Sequence, residues 1–160
     1  MSVVNGPGGT RAGCTIRKAS LEDIPEIYRI ELLCFPDPWE YKALFEMMAV
    51  FLTSFYIAEA DGRVVGFSAG AVEETGDEKY GHICNLAVSP DMQGFGIGRL
   101  LLRKLERDFF VEGCSACSLE VRRSNTKAHG FYERIGYEDV IVFGEYYKDG
   151  EDAIVMMRWF

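Results

Sequence analysis

Residues 93–99 read QGFGIGR, with glycines at 94, 96 and 98, between a strand-like run (NLAVSP) and a leucine-rich, basic, helix-like one (LLLRKLER). A helix N-terminus carries unpaired N–H groups and a partial positive charge. Residues without Cβ atoms let an anion come close to those groups. The chemistry this spacing permits is the grip of a phosphate or pyrophosphate. The same glycines also suit a turn that needs positive φ angles, and glycine content alone weighs the two equally. A nucleotide-hydrolysing loop requires Lys followed by Ser or Thr after its last glycine, and Arg99-Leu100 stand there instead. A dinucleotide fingerprint requires G-x-G-x-x-G, whereas this spacing is G-x-G-x-G and lies mid-chain behind a hairpin.

Two further side chains have the chemistry to move a proton. Glu120 in LEVR sits in the middle of a strand-like run, where Glu is unfavoured without a reason. Ser118 and Arg122 share its face, so a solvent-facing residue of an alternating strand is the competing reading. His82 in YGHICNLAVSP shares a face with Cys84, Leu86 and Val88 by period-two alternation. Histidine titrates in the useful range, and a hydrogen-bonded structural role stands beside a catalytic one. Cys84 beside His82 is also a conceivable nucleophile pair. The five cysteines, at 14, 34, 84, 114 and 117, are odd in number and scattered, which is no disulfide framework. The pair in CSAC leads into a strand-like run rather than opening a helix, and neither His82 nor His129 has ligand-like spacing. Two partly buried small residues are expected there, and no metal site.

These groups need elements to position them. CTIRKA alternates as a strand; Ser20 then caps a helix, with Asp23 echoing a capping box, and Ile24, Ile27, Ile30 and Cys34 follow at helical spacing. FPDPW breaks that helix, and Asp37 is expected to cap a second one with Pro38 at its first position. The wide apolar surface of WEYKALFEMMAVFL predicts packing on both sides. SFYIAEA and RVVGFSAGAVEE form a hairpin about Asp61-Gly62, and YGHICNLAVSP is a third, longer strand. A helix over about 96–112, the strand SACSLEVR, a helix over about 125–135 and two closing strands around KDG complete the order β-α-α-β-β-β-α-β-α-β-β. The fold class is α/β (α+β), one domain over 13–160 with a mixed, mostly antiparallel sheet and about four helices. The start, MSVVNGPGGTRAG, is expected to be a flexible tail over 1–12.

Composition bounds the partners. The chain has 160 residues, 48% hydrophobic and 26% charged, with net charge −8 and a sequence pI near 4.8. That length carries a sizeable core, and the acidic balance argues against a broad nucleic-acid surface. No segment has the length and apolarity of a membrane span, and the start lacks the pattern of a signal peptide. Cytoplasmic location, no membrane or nucleic-acid partner, and a monomer or weak homodimer are expected.

The pattern Gln93-x-x-Gly96-x-Gly98 behind LAVSP resembles the acyl-CoA signature Q/R-x-x-G-x-G/A of the GNAT superfamily of N-acetyltransferases. FPDPW, GHICNLAV, LEVRRSNTKAHGFYERIGY and YYKDGEDAIVM, in that order, resemble its protein N-terminal acetyltransferases, the RimI and Ard1 group. The resemblance covers nearly the whole chain after the tail. Gln93 stands where Arg is common, and Phe131 replaces a frequent Leu. The resemblance implies an acetyl-CoA N-acyltransferase fold, acetyl-CoA as cosubstrate, and acetylation of the α-amino group of protein N-termini, ribosomal proteins possible among them.

It also implies roles. Backbone N–H groups of Gln93, Gly94, Phe95, Gly96, Ile97, Gly98 and Arg99 would grip the CoA pyrophosphate. Leu86, Ala87 and Val88 would pair with the pantetheine arm where the strand splays from its neighbour, and the Val88 N–H would stabilise the thioester oxyanion. Asn125 would contact pantetheine or order its loop; a plain helix cap is the other reading. Glu120 and His82 would act as base through ordered water, and Tyr132 would both line the cofactor site and protonate the departing thiolate. Tyr146 and Tyr147 would clamp the substrate N-terminus, with Glu31, Phe35, Pro36, Asp37 and Trp39 on the other wall of the mouth. Lysine, polyamine or antibiotic amines as acceptors, covalent transfer through Cys84, and a CoA-binding module without chemistry are the competing functions.

Overall fold

A computed structural model describes residues 2–6, 9–50 and 54–160. The elements are β1 (Ser2–Gly6), β2 (Gly9–Lys18), α1 (Ile24–Cys34), α2 (Tyr41–Val50), β3 (Phe55–Ala60), β4 (Arg63–Thr75), β5 (Glu78–Val88), α3 (Ile97–Val111), β6 (Ala116–Arg122), α4 (Thr126–Arg134), β7 (Glu138–Phe143) and β8 (Ala153–Trp159). Short 3-10 turns cover Leu21–Asp23 and Pro90–Met92. The chain packs as two compact units, residues 1–71 with 84–108 and residues 72–83 with 109–160.

In the first unit the strand order is β1-β2-β3-β4-β5. β2 pairs antiparallel with β3, and β3 with β4, the latter with a register shift between Ala58 and Glu59. The helical spacing in α1 buries Ile24, Ile27 and Ile30 with Leu44 and Met48 of α2 and with Phe55, Ile57 and Phe67 of the sheet. Each such side chain contributes about 1.5–3 kcal/mol when fully buried. The expected capping box forms: the Ser20 N–H donates to Asp23 Oδ2 at 2.8 Å, and Arg17 holds the same carboxylate. Gly66 lets β4 approach β5 closely, since a Cβ there would lie 2.9 Å from the Ala87 carbonyl oxygen.

Three expectations are corrected in this unit. Ser2–Gly6, expected within a tail, pairs antiparallel with β2, Val4 opposite Arg11 and Gly6 opposite Gly9. Backbone pairing needs no apolar alternation, so the glycine-rich composition concealed it. Next, α2 begins at Tyr41 rather than just after Asp37, and the Trp39 N–H donates to Glu31. Finally, α2 packs on one face: Leu44 and Met48 are buried, while Tyr41, Phe45 and Val50 are exposed.

The second unit has strand order β5-β6-β8-β7. β5 pairs parallel with β6 from Tyr80↔Ala116 to His82↔Ser118; β5 itself runs on to Val88 and β6 to Arg122. β6 pairs antiparallel with β8, setting Glu120 opposite Val155 and Arg122 opposite Ala153. Gly81 is required by packing: a Cβ there would stand 2.1 Å from the Phe109 ring. The ring thus covers one side of β5 while the next residue, His82, points its side chain the other way. Among the described residues no helix is long and apolar enough to cross a membrane.

Candidate active site

The glycine turn of the first unit adopts the positive φ angles that one reading of its sequence requires. Gly94 and Gly96 each have φ of 83°, the left-handed region that favours glycine. A Cβ at either would meet nothing within 4 Å, so conformation rather than crowding requires them. Helix α3 follows at once, and the Leu100 N–H closes onto the Gly96 carbonyl at 3.2 Å. The N–H groups of Ile97, Gly98 and Arg99 therefore precede the helical ladder, the position from which an anion is held. The Gln93 side chain does something the sequence does not reveal: its Nε2 donates to the Val88 carbonyl at 3.0 Å and so ties the turn to the end of β5. The Cys34 thiol donates to the same carbonyl at 3.3 Å. Along β5, Cys84, Leu86 and Val88 are half-buried while Asn85 and Ala87 are buried, the period-two alternation of a strand.

Glu31 is only 1% exposed. Its two carboxylate oxygens accept from the Trp39 N–H at 3.0 Å and from Asn85 Nδ2 at 2.7 Å. This side chain is a latch between the loop at 35–39 and β5, rather than an open wall of a mouth. Phe35 is half-buried, Pro36 and Asp37 are exposed, and Trp39 packs on the core. Burial pushes the Glu31 carboxyl above its usual range, against the two hydrogen bonds that favour its charged form. A carboxyl raised in the folded state stabilises most where it is protonated, and that contribution falls as pH rises from the ordinary carboxyl value through the raised one. Glu31→Gln cannot titrate, so its melting temperature is expected to lack that fall as pH rises above the ordinary carboxyl range when both proteins are scanned side by side.

In the second unit the predicted proton-moving pair is joined. His82 Nε2 lies 2.7 Å from Glu120 Oε2, with the two side chains 22% and 23% exposed. The other ring nitrogen, Nδ1, lies 3.1 Å from Glu73 Oε1. An imidazole set between two carboxylates can take up a proton and pass it on, its two N–H positions each facing an acceptor. Glu73, in the run AVEETG, escaped the sequence reading because only the folding of β4 brings it to His82.

Tyr132, on α4, is buried, with its ring edge-on to Phe131 and to Tyr137 at centroid distances of 5.1 and 5.6 Å. Desolvation pushes its phenol well above the ordinary value, so the proton stays on the oxygen at any working pH. Asn125 caps α4, its side chain accepting from the Ala128 N–H at 3.1 Å, which is the plain-cap reading of that residue. Tyr146 and Tyr147 lie between β7 and β8, edge-on to each other at 5.0 Å. Among the described residues no group of three or more His, Cys, Asp and Glu side chains is placed to hold a metal ion.

The family model described as the Acetyltransferase (GNAT) family matches residues 24–137. An uncharacterized N-acetyltransferase of Methanocaldococcus jannaschii is 41% identical over 144 residues, covering 89% of this chain and 90% of that protein. An N-alpha-acetyltransferase of Sulfurisphaera tokodaii is 33% identical over 150 residues, covering 88% and 90%. Among solved structures, Ard1 from Thermoplasma volcanium superposes with a TM-score of 0.85 at 26% identity, over 92% of this chain and 98% of that one.

Proposed function

Because this chain belongs to the acetyltransferase (GNAT) family, we propose that it transfers the acetyl group of acetyl-CoA directly to the α-amino group of protein N-termini. The observation that carries this reading is the His82–Glu120 pair at 2.7 Å. An amine must be neutral to attack a thioester, and an α-amino group, with a pKa near 7.7–8.0, needs only a modest base. A lysine amine, near 10.4, demands much more. The half-buried Glu120 and His82 accept the amine proton. The neutral nitrogen attacks the thioester carbonyl, the C–S bond breaks, the remaining proton that the nitrogen sheds as the amide forms passes through water to solvent, and CoA departs as a thiolate that accepts a hydrogen bond. Tyr132 supplies that hydrogen bond, and the amides of Ile97, Gly98 and Arg99 hold the pyrophosphate. The likeness to a protein named N-alpha-acetyltransferase supports the acceptor, and the RimI-like motifs make ribosomal-protein N-termini one substrate class within it. Residues 13–160 act in this reading as one acetyltransferase domain.

Initial-rate kinetics test the proposal with a lysine-free peptide beginning with Ser or Ala, varied against acetyl-CoA. Acetylation at the first residue with intersecting double-reciprocal lines is expected, and Cys84→Ala keeps most of the rate. Parallel lines, with acetyl label on Cys84 and loss of activity in Cys84→Ala, would replace direct transfer by a covalent intermediate.

A further inference from the structure

Arg122 stands two residues beyond Glu120 on the same half-buried face of β6, about 6.8 Å further along the strand. Its guanidinium lies 4.0 Å over the Tyr147 ring, and its Nη1 donates to Asp149 Oδ2 at 2.9 Å and to Glu151 Oε2 at 2.8 Å. The rest of the loop closes around that group. The Ser124 N–H donates to Glu151 Oε1 at 2.8 Å, the Glu151 N–H to Asp149 Oδ1 at 3.1 Å, and the Tyr147 N–H to the Glu151 carbonyl at 3.1 Å. Asp152 adds a second tie, accepting from Arg123 at 3.2 Å and from the Glu145 N–H at 3.1 Å. Arg122 thus touches the Tyr147 ring and the carboxylates of Asp149 and Glu151 together, and only 14% of its side chain is exposed.

Resting on the proposed function, we infer that Arg122 is a positioning residue for the acceptor peptide, fixing Tyr147 and the β7–β8 loop in the pose that receives the substrate residues beyond the first. A planar guanidinium stacks on a ring while presenting several donors in a rigid fork, a geometry the point charge of an ammonium does not reproduce. Holding the loop in advance removes an ordering cost from peptide binding while leaving the acetyl-transfer step alone. Hydrogen bonds from Ser124 first, and from Arg122 next, hold the Glu151 carboxyl down to about 2, so the loop keeps its charged anchor throughout the assay range.

The test compares wild type with Arg122→Met, Arg122→Lys and Glu151→Gln on two acceptors, a lysine-free heptapeptide and serine amide, which has no residues beyond the first. The peptide KM is expected to rise roughly tenfold in Arg122→Met with kcat within about threefold. Arg122→Lys recovers part of the loss. The KM for acetyl-CoA and the rate on serine amide stay as in wild type. An unchanged peptide KM, or an equal loss on both acceptors, would overturn the inference. If Arg122→Met does not melt as a folded protein, the peptide KM of Glu151→Gln decides by the same criterion. Wild type inactive on both acceptors would instead overturn the N-terminal reading itself, which keeps the two failures apart.

Discussion

Glu120→Gln is expected to lower kcat/KM for N-terminal acetylation by about 10²–10⁴-fold at neutral pH, the range of a lost general base. Gln keeps the size of the side chain and an oxygen facing His82 at the 2.7 Å contact, but it cannot take a proton. Because the substrate's own α-amine becomes neutral above about pH 8, the deficit should shrink as pH rises through that value. The affinity for acetyl-CoA should stay unchanged, since its anionic groups are assigned to backbone N–H groups at the start of α3. Steady-state rates from pH 6 to pH 9.5, with acetyl-CoA binding measured by calorimetry, check both points. Turnover within a few-fold of wild type at pH 7 would remove Glu120 from the chemistry.

Tyr132→Phe is expected to lower kcat about 100-fold with little change in either KM, as for loss of a hydrogen bond that stabilises charge on the leaving group. The substitution removes one oxygen and leaves the ring free to keep its edge contacts with Phe131 and Tyr137. Burial pushes the phenol pKa up, so the hydroxyl keeps its proton and would be able to donate a hydrogen bond to a departing thiolate across the working range. The wild-type pH profile should therefore show no limb from Tyr132. Rapid-quench measurement of the first turnover separates the acetyl-transfer step from product release. A first turnover as fast as wild type would assign Tyr132 to the core alone.

What the sequence makes legible here follows the range of the interactions. The glycine turn, the alternation of β5 and the helical spacing of α1 are local patterns, and each stands in the structure where expected. Glu120 is legible as a Glu in mid-strand and His82 as a His on the face of Cys84, Leu86 and Val88, with the RimI-like motifs pointing to both, and parallel pairing of β5 with β6 brings them together. The residues that escaped depend on how strands and loops pair rather than on a local pattern. Glu73 meets His82 only once β4 and β5 have turned back, and Arg122 meets Tyr147 only through the closing loop. Glu31 looked like a wall of a mouth and is a buried latch, because burial depends on how α1 meets the sheet and not on its own neighbours in sequence. The start of α2 also lies later than its local cap pattern implies, and the Trp39 N–H there meets the carboxylate of Glu31.

The acceptor is the centre of the account, and one competition experiment addresses it directly. Purified protein is incubated with acetyl-CoA and two peptides at equal concentration, one with a free Ser or Ala N-terminus and no lysine, the other with a blocked N-terminus and one internal lysine. Mass spectrometry then reads acetylation of each. Acetylation of the free N-terminus alone is the predicted result. Acetylation of the internal lysine alone would contradict the account and make this a side-chain acetyltransferase.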